Sequence, residues 1–286
     1  MKPFTITTPS ALIEKKVECK THGLYMSRLL VERPEVWSFC PSCEEEQKAA
    51  RAREEDVRKQ RRLEENLEEA GILKRFRNAT FESYEPRSQH HAQVLVAMKN
   101  YAENFAFHLE AGRCLGLLGG PGQGKTHLGV ALLKEIIGKG FTGRYCREYD
   151  FFLSIKNTWA AGKNKLTERT ETEIIKSYVR PDLLVLDEIG VQFFTPAEDA
   201  LIFQVIENRY GSMKPTMVIS NLNKPIPEKT LHGRRTKDVE DALGFRAYDR
   251  LVEDDGILLT FPAGLVSYRV LKNQEMREIS EGSAIQ

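Results

Sequence analysis

Eight residues constrain this chain more than any others: Gly119-Gly120-Pro121-Gly122-Gln123-Gly124-Lys125-Thr126. They fit G-x-x-x-x-G-K-[ST], a pattern that carries weight only where a strand precedes it and a helix follows. Both conditions are met. Arg113 to Leu118 is a short apolar run, and Lys125 to Ile137 carries Leu128, Leu132, Leu133 and Ile136 at helical spacing before Gly138 and Gly140 end it. The glycines let successive backbone N–H groups turn toward an anion, and the positive end of the following helix adds to that field. The segment predicts a nucleoside triphosphate site, with Lys125 bridging the β- and γ-phosphates of ATP and Thr126 ligating Mg2+.

From about residue 72 the sequence alternates strand with helix. Gly143 to Arg147, Leu183 to Leu186, Thr216 to Ser220 and Gly256 to Phe261 read as further strands. Asp150 to Trp159, Glu168 to Val179 and Ala197 to Tyr210 read as helices. Strands separated by helices imply an α/β fold, a parallel sheet flanked on both faces. The apolar run Leu183-Leu184-Val185-Leu186 leads into Asp187-Glu188, as a Walker B strand does. Lying next to the phosphate-loop strand, it would set Asp187 against the Mg2+ shell and Glu188 near the γ-phosphate as the base that polarises water. Asn221 stands at the end of the Thr216 strand, a place from which to orient that water. Arg246 and Arg250 lie four apart on a helical segment. One of them reads either as an arginine finger reaching across a subunit boundary or as a surface ion pair with Asp249, Glu253 or Asp254.

The first 71 residues have another character. Cys19-x2-His22 and Cys40-x2-Cys43 are two chelating pairs 17 residues apart. Three thiolates and an imidazole at this spacing suit a closed tetrahedral Zn2+, structural and not catalytic, with Gly23 and Pro41 favouring the turns that aim the ligands. Cys114 and Cys146 fall in core strands and read as buried apolar residues. Glu44 to Ala70 holds neither Gly nor Pro and alternates charge along its length, with pairs such as Glu54–Arg58 and Glu55–Lys59. It reads as a long exposed helix, either a solvated linker or one that docks on a partner, its Val57, Leu63 and Leu67 too sparse for a coiled coil. The expected divisions are a zinc module over 1–43, a charged helix over 44–71 and a nucleotide-binding domain over 72–286. With 42 basic against 41 acidic residues, any nucleic-acid contact must come from a local patch. No apolar run approaches the roughly 18 residues needed to span a bilayer, and Met1 to Ser10 lacks the apolar stretch of a signal peptide, so a cytoplasmic location is expected.

Leu183-Leu184-Val185-Leu186-Asp187-Glu188-Ile189-Gly190-Val191-Gln192 resembles the Walker B segment of the DnaC family of bacterial and phage helicase loaders. Ile219-Ser220-Asn221-Leu222-Asn223 and Tyr248-Asp249-Arg250-Leu251, followed by Ser267-Tyr268-Arg269, resemble later motifs of that family, and Asn78-Ala79-Thr80-Phe81-Glu82-Ser83-Tyr84 its lead into the ATPase core. The resemblance covers roughly residues 72–270. It implies an AAA+ core without the usual C-terminal lid domain, with Asn221 as the sensor 1 residue, Arg250 as the arginine finger and Arg269 as a contact to nucleotide. It also implies ATP hydrolysis in a site shared between subunits assembled on a replicative hexameric helicase, which is helped onto single-stranded DNA. An extra helix after the second strand is part of the likeness. There Phe151, Phe152 and Lys156 offer stacking surface and charge to single-stranded DNA, or else the two rings fill the core. Lys163 and Lys165 read as solvated. Zinc modules are a feature of the related DnaI loaders, so residues 1–70 are the expected helicase-binding arm. Two other readings stand beside this one: a transposition ATPase resembling IstB, acting with a transposase on duplex DNA, and a P-loop small-molecule kinase. The kinase has no need of Asp187-Glu188, Asn221 or Arg250.

Overall fold

The computed structural model describes residues 14–30, 33–160, 170–191, 196–224, 230–231, 234–235, 238–253, 255–262, 264–268 and 270. Its contacts divide the chain into two compact groups, residues 1–62 and 63–286. In the first, β1 (Glu14–Cys19), β2 (Gly23–Leu30) and β3 (Arg33–Trp37) form an antiparallel sheet in that order, strands that composition did not announce. The β1–β2 turn closes with Cys19 opposite Gly23, whose φ of 78° suits glycine. A single helix, α1 (Pro41–Glu69), follows. Pro41 therefore begins the helix, where its missing N–H costs nothing, and does not make the turn expected of it. Glu44–Lys48 and Glu55–Lys59 pair along the exposed face at 3.1 and 2.9 Å.

The second group continues with α2 (Gln89–Glu103), α3 (Phe105–Glu110), β4 (Leu115–Leu118), α4 (Lys125–Gly138), β5 (Gly143–Arg147), α5 (Glu148–Ala160) and α6 (Glu171–Val179). Then come β6 (Leu183–Ile189), α7 (Pro196–Tyr210), β7 (Thr216–Ser220), a short β8–β9 hairpin (Thr230–Leu231 with Arg234–Arg235), α8 (Val239–Leu243), α9 (Phe245–Val252) and β10 (Ile257–Thr260). The strands pair in parallel in the order β10-β4-β7-β6-β5. One expectation fails here. The strand bearing Asp187 is not beside the phosphate-loop strand, because β7 lies between them. After β4 the chain crosses to the far edge at β5, steps back through β6, and fills the vacant central place with β7. Among the described residues no helical bundle follows β10, and no described helix is long and apolar enough to cross a membrane.

The strands' period of two sorts their side chains into two cores. Leu115, Leu117, Leu183, Val185, Met217 and Ile219 face one way, against α2 and α4. Leu118, Leu184, Leu186 and Val218 face the other, against α5, α6 and α7. Leu63 and Leu67, near the end of α1, pack with the first core, and Ala70 is wholly buried there. Of the sparse apolar positions, Leu63 and Leu67 thus dock while Val57 stays exposed, and the contact boundary falls at residue 62 where the sequence suggests 71.

At the opposite end of the sheet from the phosphate loop, Arg209 of α7 is fully buried. Its guanidinium donates to the Thr216 hydroxyl and to the carbonyls of Tyr178, Val179, Pro181, Asp182 and Pro215, at 2.6 to 3.2 Å. It thereby ties the loop entering β6 to the loop entering β7. Burial lowers its pKa to about 10, still well above neutrality, so the cation is retained. Arg209→Met would strand several of these buried acceptors, each costing on the order of 1–3 kcal/mol. We expect a loss of at least about 3 kcal/mol in urea unfolding, with an unchanged m-value.

Candidate nucleotide site and metal centre

The phosphate loop begins where β4 ends and closes at Gly124, whose φ of 80° starts α4. Two neighbours press so closely that glycine is required. A Cβ on Gly124 would stand 2.5 Å from the Tyr84 ring, and one on Gly122 would overlap Ser267. Tyr84 donates its hydroxyl to the Gln123 carbonyl at 3.0 Å. Gln123 donates to the Leu265 carbonyl at 3.0 Å, and the Tyr268 N–H to the Gly122 carbonyl at 2.8 Å. The loop is thereby held between the segment before α2 and the segment after β10.

Lys125 is almost completely buried, its ammonium donating to the carbonyls of Gly119 and Gly120, each at 2.7 Å, and to Asn221 Oδ1 at 2.9 Å. Thr126 donates its hydroxyl to Asp187 Oδ2 at 2.8 Å. Four residues singled out in the sequence therefore meet directly, Lys125 with Asn221 and Thr126 with Asp187. The residue parity that faces Val185 toward α4 puts Asp187 on that same side. The β6–β7 ladder then shifts register between Leu186 and Ile189, and Glu188 takes a φ of 61°, a strained value for a side chain of this size. That kink turns Glu188 out of the sheet and exposes it, while its N–H donates to Asp187 Oδ1 at 2.7 Å.

These groups line a cleft of about 550 Å3 together with Arg75, Tyr84, Arg87, His91, His127, Val266 and Tyr268. The Arg87 guanidinium stacks 4.6 Å from the Tyr268 ring centroid. A ring of backbone N–H groups, an ammonium, a hydroxyl and two carboxylates, one shielded and one exposed, suits a triphosphate with a divalent cation. Sequence reasoning missed Tyr145 of β5, which donates its hydroxyl to Asp187 Oδ2 at 2.8 Å from a buried position. Burial first, and the adjacent Asp187 carboxylate second, push its phenol far above the ordinary tyrosine range, so the proton stays on the hydroxyl oxygen. Gly-Arg-Tyr-Cys-Arg shows no spacing from which this role could be read.

The remaining site residues fare differently. Phe151 and Phe152 are 0% and 2% exposed. They sit edge to face 5.2 Å apart in the second core, with Tyr178 5.0 Å from Phe151, so neither offers a ring to a nucleic acid. Helical spacing turns them toward β6 and sends Tyr149, Leu153, Lys156 and Trp159 outward instead. Arg250 does not reach this chain's own cleft. It pairs with Glu253 at 2.8 Å and with Glu207 at 3.3 Å, and its guanidinium lies 4.4 Å from the Tyr210 ring centroid. Arg246 is exposed. Arg269, Lys163, Lys165 and Gln192 lie outside the described residues.

In the first group, ligand atoms of Cys19, His22, Cys40 and Cys43 all lie within 4.8 Å of one another. Cys19 Sγ is 3.4 Å from Cys43 Sγ, and His22 Nδ1 is 3.3 Å from Cys43 and 3.8 Å from Cys19 and Cys40. Ligands about 2.3 Å from a shared tetrahedral zinc would stand roughly 3.5–3.8 Å apart, so the donor set fits that ion. His22 Nε2 pairs with Glu46 Oε1 at 3.0 Å, which fixes the ring and leaves Nδ1 aimed at the cluster. The Thr21 and His22 backbone N–H groups, with Cys43 and His22, lower Cys19 to about 6, while Cys19 raises Cys43 to about 12 and His22 to about 9. Cys19 is thus a thiolate ready to ligate, while Cys43 and His22 hold protons that a metal would displace. Glu46 was not foreseen, because it stands a helical turn beyond the recognisable pair.

The model of the family described as IstB-like ATP binding protein matches residues 42–235. The replicative helicase loader DnaC of Buchnera aphidicola subsp. Baizongia pistaciae is 28% identical over 200 residues, 70% of this chain and 74% of that protein. A crystal structure of the DnaC helicase loader superposes with a TM-score of 0.55 at 28% identity, covering 66% of this chain and all of that one. DnaA from Aquifex aeolicus, bound to AMPPCP, shares the fold at a TM-score of 0.50 and 18% identity, over 71% of this chain and 56% of its own. The AAA+ core expected from the sequence is the fold observed. With its phosphate loop, acidic strand end and parallel sheet in this order, the chain belongs to the family of IstB-like ATP-binding proteins.

Proposed function

We propose that this protein is an ATP-dependent helicase loader, which binds a replicative hexameric helicase in the cytoplasm and helps deposit it on single-stranded DNA. The observation that carries the reading is the pairing of a hydrolysis-type site with likeness to DnaC over the whole of a solved loader core. ATP with Mg2+ supplies a phosphoanhydride whose cleavage can separate a gripping state from a releasing one. Lys125 exchanges the Gly119 and Gly120 carbonyls for phosphate oxygens, and the loop N–H groups bind the β-phosphate. Thr126 and Asp187 hold the cation. Glu188, exposed at its kink, takes the proton from an attacking water that Asn221 orients. Arg250 serves a neighbouring subunit's site after assembly on the helicase, and Arg269 contacts nucleotide. Residues 1–70, with one Zn2+ on Cys19, His22, Cys40 and Cys43, form the helicase-binding arm. Contact to single-stranded DNA falls to the outward face of α5, which Lys156 shares with exposed Tyr149 two turns before it.

The IstB-like family match keeps open the second reading offered by the sequence, a transposition helper acting with a transposase on duplex DNA. Capture assays separate the two. The loader reading expects retention of a hexameric replicative helicase and an ATP-dependent preference for single strands. Capture of a transposase with a duplex preference would overturn it.

Lys125→Ala is expected to abolish ATP binding, whereas Glu188→Gln should bind ATP normally and slow turnover at least about 100-fold, the usual scale for a lost general base. Equilibrium binding and phosphate release check both. Metal analysis should find one zinc per chain. Cys43→Ser should lose that zinc and the helicase capture while retaining ATP binding by the second group of residues.

A further inference from the structure

Asp187 is 2% exposed and accepts three hydrogen bonds: from Thr126 and Tyr145 on Oδ2, and from the Glu188 N–H on Oδ1. Two of these donors have other duties in the site proposed above. Thr126 must turn its oxygen toward the cation, and Glu188 belongs to the kink that faces the γ-phosphate. Tyr145 has no such duty. Its side chain is buried and belongs to the first core, on the α4 side of the sheet. Its backbone is fixed as well. β5 is the edge strand, and on its outer side the Tyr145 N–H donates to the Ala70 carbonyl at 2.7 Å.

We propose that Tyr145 is a positioning residue for the divalent cation, its hydroxyl locking the Asp187 carboxylate in the rotamer that presents an oxygen beside Thr126. The inference rests on reading the cleft as a Mg2+–ATP site and adds to it a residue from a strand otherwise outside the chemistry. A carboxylate's terminal torsion is broad and roughly two-fold, so a buried Asp needs donors to choose one orientation. Once Thr126 engages the cation, the Tyr145 hydroxyl is the side-chain donor that still holds Oδ2 in place. A hydrogen bond to a charged group contributes about 1.5 kcal/mol or more, equivalent to roughly tenfold in an equilibrium constant.

Tyr145→Phe removes that hydroxyl and little else. Affinity of the full chain for a fluorescent ATP analogue, titrated with Mg2+ and repeated in EDTA, reads the effect without relying on hydrolysis. The Mg2+ concentration at half-effect should rise about tenfold, with affinity in EDTA unchanged. Adding Tyr145→Phe to Asp187→Asn should produce no further shift, since the two act through one contact. An unaltered Mg2+ midpoint, or equal weakening with and without Mg2+, would overturn the proposal while leaving the nucleotide site standing. Failure of the wild-type chain to bind the analogue at all would overturn both. Far-UV circular dichroism and the melting temperature of the variant separate misfolding from a specific loss, and rescue of nucleotide affinity at high Mg2+ is expected only for the positioning role.

Discussion

The hydrogen bond from Thr126 to Asp187 has to reach across a strand. β7 lies between β4 and β6, so the two residues belong to elements that are not neighbours in the sheet. The contact exists because α4 crosses close over the sheet on the face to which Asp187 points. Gly129 of α4 lets it do so: a Cβ there would stand 2.6 Å from Ile219 of β7. Strand parity, helix approach and β6–β7 register must all be right before the two oxygens meet. Arg209 secures the last of these from the far end by holding the loops entering both strands. The site and the buried cation thus act at opposite ends of the same pair of strands.

The intervening strand does more than fill space. It brings Asn221 to the phosphate loop, where Oδ1 accepts from Lys125, and Ser220 bonds to the Ile189 carbonyl beyond the kink. Lys125 is buried as a cation with three oxygen acceptors around it, an arrangement that compensates its lost hydration. In the proposed ATP complex, phosphate oxygens would replace two neutral carbonyls with charged acceptors, and charge-assisted hydrogen bonds are about twice as strong. The loop is therefore held together by the same ammonium that the proposed nucleotide would recruit, and such binding would exchange partners without exposing a charge.

What could be read from the sequence divides along a physical line. Features set by near neighbours were legible: the glycines of residues 119–126, the apolar strand before Asp187, the helical spacing of α4, and two chelating pairs whose ligand atoms converge. Features set by assembly were not. Strand order is a property of crossovers, so the place of β7 could not be read from apolar runs. Phe151 and Phe152 show only that a helix is amphipathic, and which side meets β6 follows from how α5 leaves β5. Leu63 and Leu67 read only as too sparse for a coiled coil, because the core residues they pack against are distant in sequence. Tyr145 was invisible for the same reason, being an ordinary aromatic strand residue until Asp187 is set across from it.

Arg250 shows how far a single chain's geometry can carry a functional assignment. Its contacts with Glu253, Glu207 and the Tyr210 ring match the bland expectation of a surface ion pair in kind, though the partner on α7 was not foreseen. Such pairs on a partly exposed arginine are weak, because both charges keep much of their hydration and the side chains lose freedom in meeting. They set little resistance to a stronger acceptor, such as the γ-phosphate of a neighbouring subunit. The ion pair is then a resting place from which the proposed action in trans needs only a second copy that presents its cleft to α9.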